Sequence, residues 1–271
     1  MLILGATGQI GRCLLRRLEV AGRRAIAVCR RPEPAIAPSV HWLAADLTRP
    51  LALEGPAPAA AIHAAGAWLL PLQLGPLRQA GVGRLVCFSS TSMLAKAHSP
   101  SAAEREVAQR LASAEAAVAE AGITWTVLRP ALIYGLGLDR NVSAAARFIR
   151  RWHFFPLGGP GRGLRQPVHA DDLAAAALAA LELEAAAGRS FNLGGGDTLT
   201  YRGMIERIFE VLGERPRFLT LPLLARLPGG IGAMAARMEQ DLAFDTGEFW
   251  RLAGLAPRRF LSGGRADLGQ T

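Results

Sequence analysis

Lysine is all but missing from this chain: Lys96 is the only one among 31 lysines and arginines. The formal charge of +9 is therefore carried by arginines scattered along the whole length, which reads as compositional bias and not as a patch built for nucleic acid or anionic lipid. Tyrosine is nearly as scarce, with Tyr134 and Tyr201 alone. Cys13, Cys29 and Cys87 fall in apolar segments at unrelated spacings, giving neither a metal-ligand pattern nor a disulfide framework, so they read as reduced core thiols. No run of eighteen uncharged apolar residues suggests a membrane span, and the start MLILGATG lacks the basic residues of a signal peptide. These absences lead us to expect a soluble, cytoplasmic protein with no metal centre and no nucleic-acid partner.

What is present describes a globular α/β chain. Half of the residues (51%) are hydrophobic and 20% are charged, enough apolar material for a sizeable core. Short apolar runs alternate with helical periodicities. LIL (2–4) precedes GATGQIG (5–11) and the helical RCLLRRLEVAG (12–22), then RRAIAVCR (23–30), VHWLAADL (40–47), AAAIHAAG (59–66) and RLVCFSS (84–90) read as strands. A long helical stretch (101–122) leads to ITWTVLRP (123–130), and the alternation continues more loosely through 167–182, 191–195 and 200–213. Buried strands separated by helices imply a doubly wound parallel sheet. The expected organisation is a dinucleotide-binding core over 1–133 with 167–195 returning to the sheet, and a smaller mixed C-terminal lobe for substrate over 134–166 and 196–271. The Gly/Pro-rich FPLGGPGRGLRQP (155–167) is a candidate hinge or lid.

The stretch GATGQIG sets Gly5, Gly8 and Gly11 between a strand and a helix. Small residues there let the backbone approach a pyrophosphate, and the helix start supplies amide donors and a favourable dipole. An acidic residue about 20 positions on would hold the ribose 2′-hydroxyl of NAD. The second strand instead ends in Cys29, Arg30 and Arg31, and guanidinium groups there suit a 2′-phosphate, favouring NADP over NAD. Merely solvated arginines are the other reading.

With these motifs the chain resembles the short-chain dehydrogenase/reductase superfamily in its extended or atypical NAD-dependent epimerase/dehydratase branch, which implies a Rossmann-type fold. The glycine loop with Thr7, Gln9 and Ile10, the pair Asp46-Leu47, and Ala64, Ala65 and Gly66 of HAAG match the family's cofactor-contacting elements. So do Ser89 and Ser90 of FSSTS and Pro130 of LRPALIYG. LRQPVHADDLA (164–174), FNLGGG (191–196) and AFDTGEFWRLAGLAPRRF (243–260) resemble its later signatures.

The resemblance also implies a Ser/Thr, matched by Thr91, and a YxxxK pair on the following helix, where this chain carries Val107 and Leu111. No tyrosine stands four residues before a lysine anywhere in the sequence. Substitute proton donors would come from Lys96, His98 or Tyr134, although each also has an ordinary solvated or packing role; His63 reads as a core residue with its hydrogen bonds satisfied, and His169 and Asp172 as structural. On the substrate side Asn141 and Arg165 resemble positions that grip a nucleotide diphosphate. Only 17 residues (67–83) separate HAAG from the fifth strand, shorter than the helical insertion that often builds the family's dimer, so a monomer or weak dimer is expected. Two functions remain open. One is an NADP-dependent oxidoreductase or epimerase/dehydratase-like enzyme acting on a small-molecule substrate with a non-standard proton donor. The other is a non-catalytic NADP(H)-binding sensor or scaffold, like NmrA-like regulators or the nucleotide-binding accessory subunit of respiratory complex I.

Overall fold

The structure, a computed structural model, describes residues 1–37, 39–53, 58–221 and 230–269. The chain forms two compact units, Met1–Pro130 with Asp171–Leu193 and Thr246–Leu255, and Ala131–Ala170 with Gly194–Asp245 and Ala256–Thr271.

The first unit is a seven-stranded sheet with β1 (Leu2–Leu4), β2 (Ile26–Cys29), β3 (His41–Ala44), β4 (Ala60–His63), β5 (Arg84–Phe88), β6 (Thr124–Pro130) and β11 (Arg189–Leu193). Its spatial order is β3-β2-β1-β4-β5-β6-β11, and every pair is parallel. The order reverses beside β1, which opens a crevice at the carboxyl ends of the strands, where such sheets bind ligands. The connecting helices are α1 (Gln9–Val20), α2 (Pro71–Gln79), the single turn α3 (Ser92–Ala95), α4 (Ala102–Ala119) and α6 (Ala170–Glu182). The strands read from apolar runs all form; LIL (2–4) is kept whole, while runs such as 40–47 and 59–66 are shortened to 41–44 and 60–63. Sequence grouped 196–271 with the second lobe, but α9 (Gly247–Ala253) lies in the first unit, where Phe249 meets Phe191 of β11 edge-on at 5.2 Å.

Among the described residues, the second unit holds three two-stranded pieces. The elements β7 (Leu132–Tyr134) and β10 (Pro167–His169) are parallel, as are β8 (Phe155–Leu157) and β13 (Phe218–Thr220), while β9 (Leu164–Arg165) and β12 (Leu199–Thr200) are antiparallel. With α5 (Val142–Trp152), α7 (Tyr201–Leu212) and α8 (Gly230–Arg237) they enclose a core containing Tyr134, Ile149, Leu157, Phe209 and Phe260. The Gly/Pro-rich stretch is tied down here. The amides of Gly161 and Arg162 donate to the Glu239 carboxylate at 2.5 and 3.3 Å, and the Leu164 amide donates to Asp241 at 2.8 Å.

Gln73 and His63 are wholly buried polar side chains of the first unit. Gln73 of α2 is fully buried; it accepts from the Leu51 amide at 3.0 Å and donates to the carbonyls of Leu47 and Arg49, both at 2.9 Å. One amide group thereby fixes the loop that follows β3. His63 ends β4 in register with Leu4 and Cys87. It is wholly buried, neither ring nitrogen has a hydrogen-bond partner among the described residues, and desolvation pushes its pKa down to about 4.

Replacing Gln73 with Leu strands one buried donor and two acceptors, so denaturant unfolding should show a loss of about 2–4 kcal/mol. For His63 the fold favours the neutral ring. Stability is therefore fully present above the unfolded value near 6.5 and is lost as pH falls toward about 4. The loss amounts to about 3 kcal/mol over that window. Denaturation midpoints between pH 8 and 4.5 should fall steeply for the native chain and less steeply for His63→Leu. Parallel curves would contradict the assignment.

Candidate functional site

The loop Gly5–Gly8 follows from backbone geometry. Gly5 takes φ +84°, a left-handed conformation that favours glycine. Its amide and that of Ala6 both donate to the Val28 carbonyl, at 3.0 and 3.2 Å, which fastens the loop to β2. A Cβ on Gly5 would lie 2.7 Å from the Ala65 nitrogen, and one on Gly11 would lie 2.4 Å from the Gly5 carbonyl oxygen. The loop, the start of α1 and the end of β4 thus close together at contact distance. Gly8 is exposed and caps α1, and no acidic residue stands in that helix's first turn to offset its dipole. Thr7 and Gln9 are partly exposed, Ile10 is buried, and Ala64, Ala65 and Gly66 are partly exposed next to the loop.

Two clefts open on the same unit. One, about 420 Å³, is lined by Thr7, Arg30, Arg31 and Glu33. Arg30 and Arg31 are exposed just beyond β2. The other, about 520 Å³, is lined by residues 43–46 and 49–52, Asp46 among them, at the end of β3. Asp46 accepts from the Thr48 amide at 3.0 Å, the main cause of its lowered pKa, while Leu47 is buried. Sequence reasoning passed over Glu33 and Arg12. The Arg12 guanidinium donates to both Glu33 carboxylate oxygens, at 2.8 and 2.7 Å, and its Nε donates to the Thr7 carbonyl at 2.9 Å. The signal was faint because the two residues are 21 positions apart.

At the end of β5, Ser89 donates its amide to the Leu128 carbonyl at 2.8 Å, and its hydroxyl is buried without a hydrogen-bond partner among the described residues. The Ser90 hydroxyl accepts from the Ser92 amide at 3.1 Å. Thr91 is 4% exposed and its hydroxyl lies 3.4 Å from the carbonyl of Pro130, itself buried at the end of β6. Lys96 closes α3, half-buried, and His98 is exposed. On α4, Leu111 is buried in a small apolar cluster with Ala67 and Ala114, against which Met93 and Val107 pack.

In the second unit Tyr134 is completely buried. Its hydroxyl accepts from the Leu261 amide at 3.2 Å and lies 3.5 Å from the Arg259 carbonyl, and its ring meets His169 and Phe260 edge-on at 5.1 and 5.0 Å. His169 in turn lies 3.5 Å from Asp267, a partner no sequence pattern announced. Asn141 is exposed at the start of α5, with its amide donating to Asp139 at 2.9 Å. Arg165 is 6% exposed and donates to the carbonyls of Leu164, Gln240 and Arg237 at 2.7, 2.7 and 2.5 Å; burial lowers its pKa. Its guanidinium also lies 5.3 Å from the centre of the Tyr201 ring. The cofactor candidates therefore all lie on one unit, and Tyr134 and Arg165 lie inside the packing of the other. No group of three metal-ligating side chains occurs among the described residues, and none of their helices is long and apolar enough to cross a membrane.

The model of the NAD dependent epimerase/dehydratase family matches residues 1–71 and 74–194. The mitochondrial NADH dehydrogenase (ubiquinone) 1 alpha subcomplex subunit 9 of Arabidopsis thaliana is 37% identical over 112 residues, 41% of this chain and 28% of that protein. An uncharacterized protein of Mycobacterium tuberculosis is 26% identical over 238 residues, 83% of this chain and 24% of that one. The matches thus span about a quarter of those relatives' length. Among solved structures, MoeE5 in complex with UDP-glucuronic acid and NAD shares the fold at a TM-score of 0.73 and 24% identity, over 99% of this chain and 97% of that one. With the family model covering most of its length, the chain belongs to the NAD dependent epimerase/dehydratase family.

Proposed function

We propose that the chain binds NADP(H) and acts as an oxidoreductase or epimerase/dehydratase-like enzyme on a small substrate, nucleotide-linked sugars being the first class to test. The observation that carries the reading is the cleft of Thr7, Arg30, Arg31 and Glu33 beside the glycine loop. The loop fits a dinucleotide because Gly5 and Gly11 leave no room for a Cβ, so backbone amides can approach phosphate oxygens. Arg30 and Arg31 then supply guanidinium donors where a ribose 2′-phosphate would lie, whereas the structure of MoeE5 holds NAD. When bound, the nicotinamide supplies a hydride acceptor or donor.

The chain's own residues have narrower tasks. Thr91 would orient a substrate oxygen by turning its hydroxyl from the Pro130 carbonyl. The Lys96 ammonium would hold or move a proton at that oxygen, a role that would fall here to a group other than a tyrosine–lysine pair. Such a donor contributes roughly 10²–10⁴-fold in rate. Asn141 remains a candidate for the substrate's phosphates. Arg165 would have to release three carbonyls before it could serve them. Tyr134 would serve as a packing group beneath the second unit's surface.

A second reading has its own observation. Val107 and Leu111 belong to an apolar cluster on α4, and apolar groups there supply neither a proton nor a ribose anchor. That arrangement suits an NADP(H)-dependent sensor or scaffold, the class suggested by the Arabidopsis complex I subunit.

Replacing both Arg30 and Arg31 by Ala should weaken NADPH about ten- to a hundredfold while leaving NADH nearly unchanged, measured by nucleotide fluorescence. Equal losses for the two nucleotides would remove the 2′-phosphate assignment. To separate the two functions, stoichiometric NADPH bound to the protein would be challenged with carbonyls, enones and nucleotide sugars. Substrate-dependent decay that drops by about 10²-fold or more in Lys96→Ala establishes catalysis through that lysine. Persistent fluorescence across the panel favours the sensor or scaffold and directs the search to a protein partner.

A further inference from the structure

We infer that Arg12 and Glu33 form a lock that decides which dinucleotide this site accepts, an inference that rests on the NADP(H) reading above. Glu33 is a carboxylate lining the same cleft as Arg30 and Arg31. Left to itself, a carboxylate there would repel a 2′-phosphate and pair with the arginines that should receive it. It would also accept from a ribose 2′-hydroxyl, the contact that selects NAD. The structure compensates that charge. One terminal nitrogen of Arg12, Nη2, donates to both Glu33 oxygens at 2.8 and 2.7 Å, a charge-assisted contact that leaves Nε to the phosphate loop.

The same guanidinium reaches the phosphate loop, because Arg12 Nε donates to the Thr7 carbonyl at 2.9 Å, and Thr7 lines the cleft as well. Arg12 follows the last glycine of the loop on the first turn of α1, so its position is fixed by the helix and not by a mobile loop. One side chain thus joins the pyrophosphate end of the site to its ribose end and holds the acidic residue in a compensated state. Arg12 and Glu33 are 26% and 41% exposed at the side chain, so the pair is accessible enough to be remodelled by a bound nucleotide. In this account Arg30 and Arg31 are the attractive determinants, and Arg12 acts indirectly by positioning Glu33.

The test is a double-variant cycle on the full chain, with NADPH and NADH titrated against wild type, Arg12→Gln, Glu33→Gln and the combination, and thermal midpoints recorded alongside. Arg12→Gln, which frees the carboxylate, should weaken NADPH about tenfold and leave NADH within about threefold. Glu33→Gln alone should bind NADPH at least as well as wild type. The combination should recover NADPH binding, because the liberated charge is gone. A wild type that prefers NADH overturns the NADP(H) reading itself. A wild type that prefers NADPH, with Arg12→Gln weakening both nucleotides equally or Glu33→Gln failing to rescue, overturns the lock alone. If Arg12→Gln does not fold, a selective loss of NADPH in Glu33→Gln overturns the lock and retained preference upholds it.

Discussion

The first unit depends on a close backbone approach at Gly5. Its left-handed φ and its hydrogen bond to the Val28 carbonyl turn the chain off β1 and onto α1 while keeping the loop against β2. The space that a side chain would fill at Gly5 and Gly11 is occupied by the Ala65 nitrogen and by the loop's own carbonyls. Three central strands therefore deliver their ends to one place. The two clefts, at the ends of β2 and β3, both follow that turn in sequence, and the first includes Thr7 of the turn itself.

Around this constraint the unit fastens its loops with single buried or paired polar groups. Gln73 holds the segment after β3 through three hydrogen bonds. Arg17 of α1 forks onto Asp171 of α6 at 2.7 and 2.8 Å, and Arg129 of β6 pairs with Glu115 of α4 at 2.5 Å where both are largely buried. The arginine-rich composition, which looked like bias in the sequence, is partly structural in this sense. Arg165 is the clearest case in the second unit, since its buried guanidinium satisfies carbonyls at the end of α8 and beyond it. Arg30 and Arg31 differ from these in being exposed, which leaves them accessible to a ligand.

The fold was legible because buried parallel strands are short apolar runs and the helices between them are periodic. The phosphate loop was legible because the reasons for its glycines are local. The helix α2 was not read, since Pro71 opens it and Pro76 lies inside it, and proline ordinarily signals a break. Nor was the place of α9, which is set by a ring contact between residues 58 positions apart, Phe191 and Phe249. In the site, Arg30 and Arg31 are marked by lying next to β2, whereas the Arg12–Glu33 and His169–Asp267 pairs exist only after folding brings distant residues together. Burial was equally hidden: Arg165 and Tyr134 carry the right chemistry in the sequence, and only the packing reveals how fully each is engaged.

Under the proposed function, the cleft beyond β2 recognises a ribose 2′-phosphate. Isothermal titration of the wild-type chain with adenosine 2′,5′-bisphosphate and with 5′-AMP, which differ only in that phosphate, tests it most directly. The bisphosphate is expected to bind about tenfold tighter or better, with an advantage that shrinks as salt is raised. Equal affinities, or tighter binding of 5′-AMP, would contradict it.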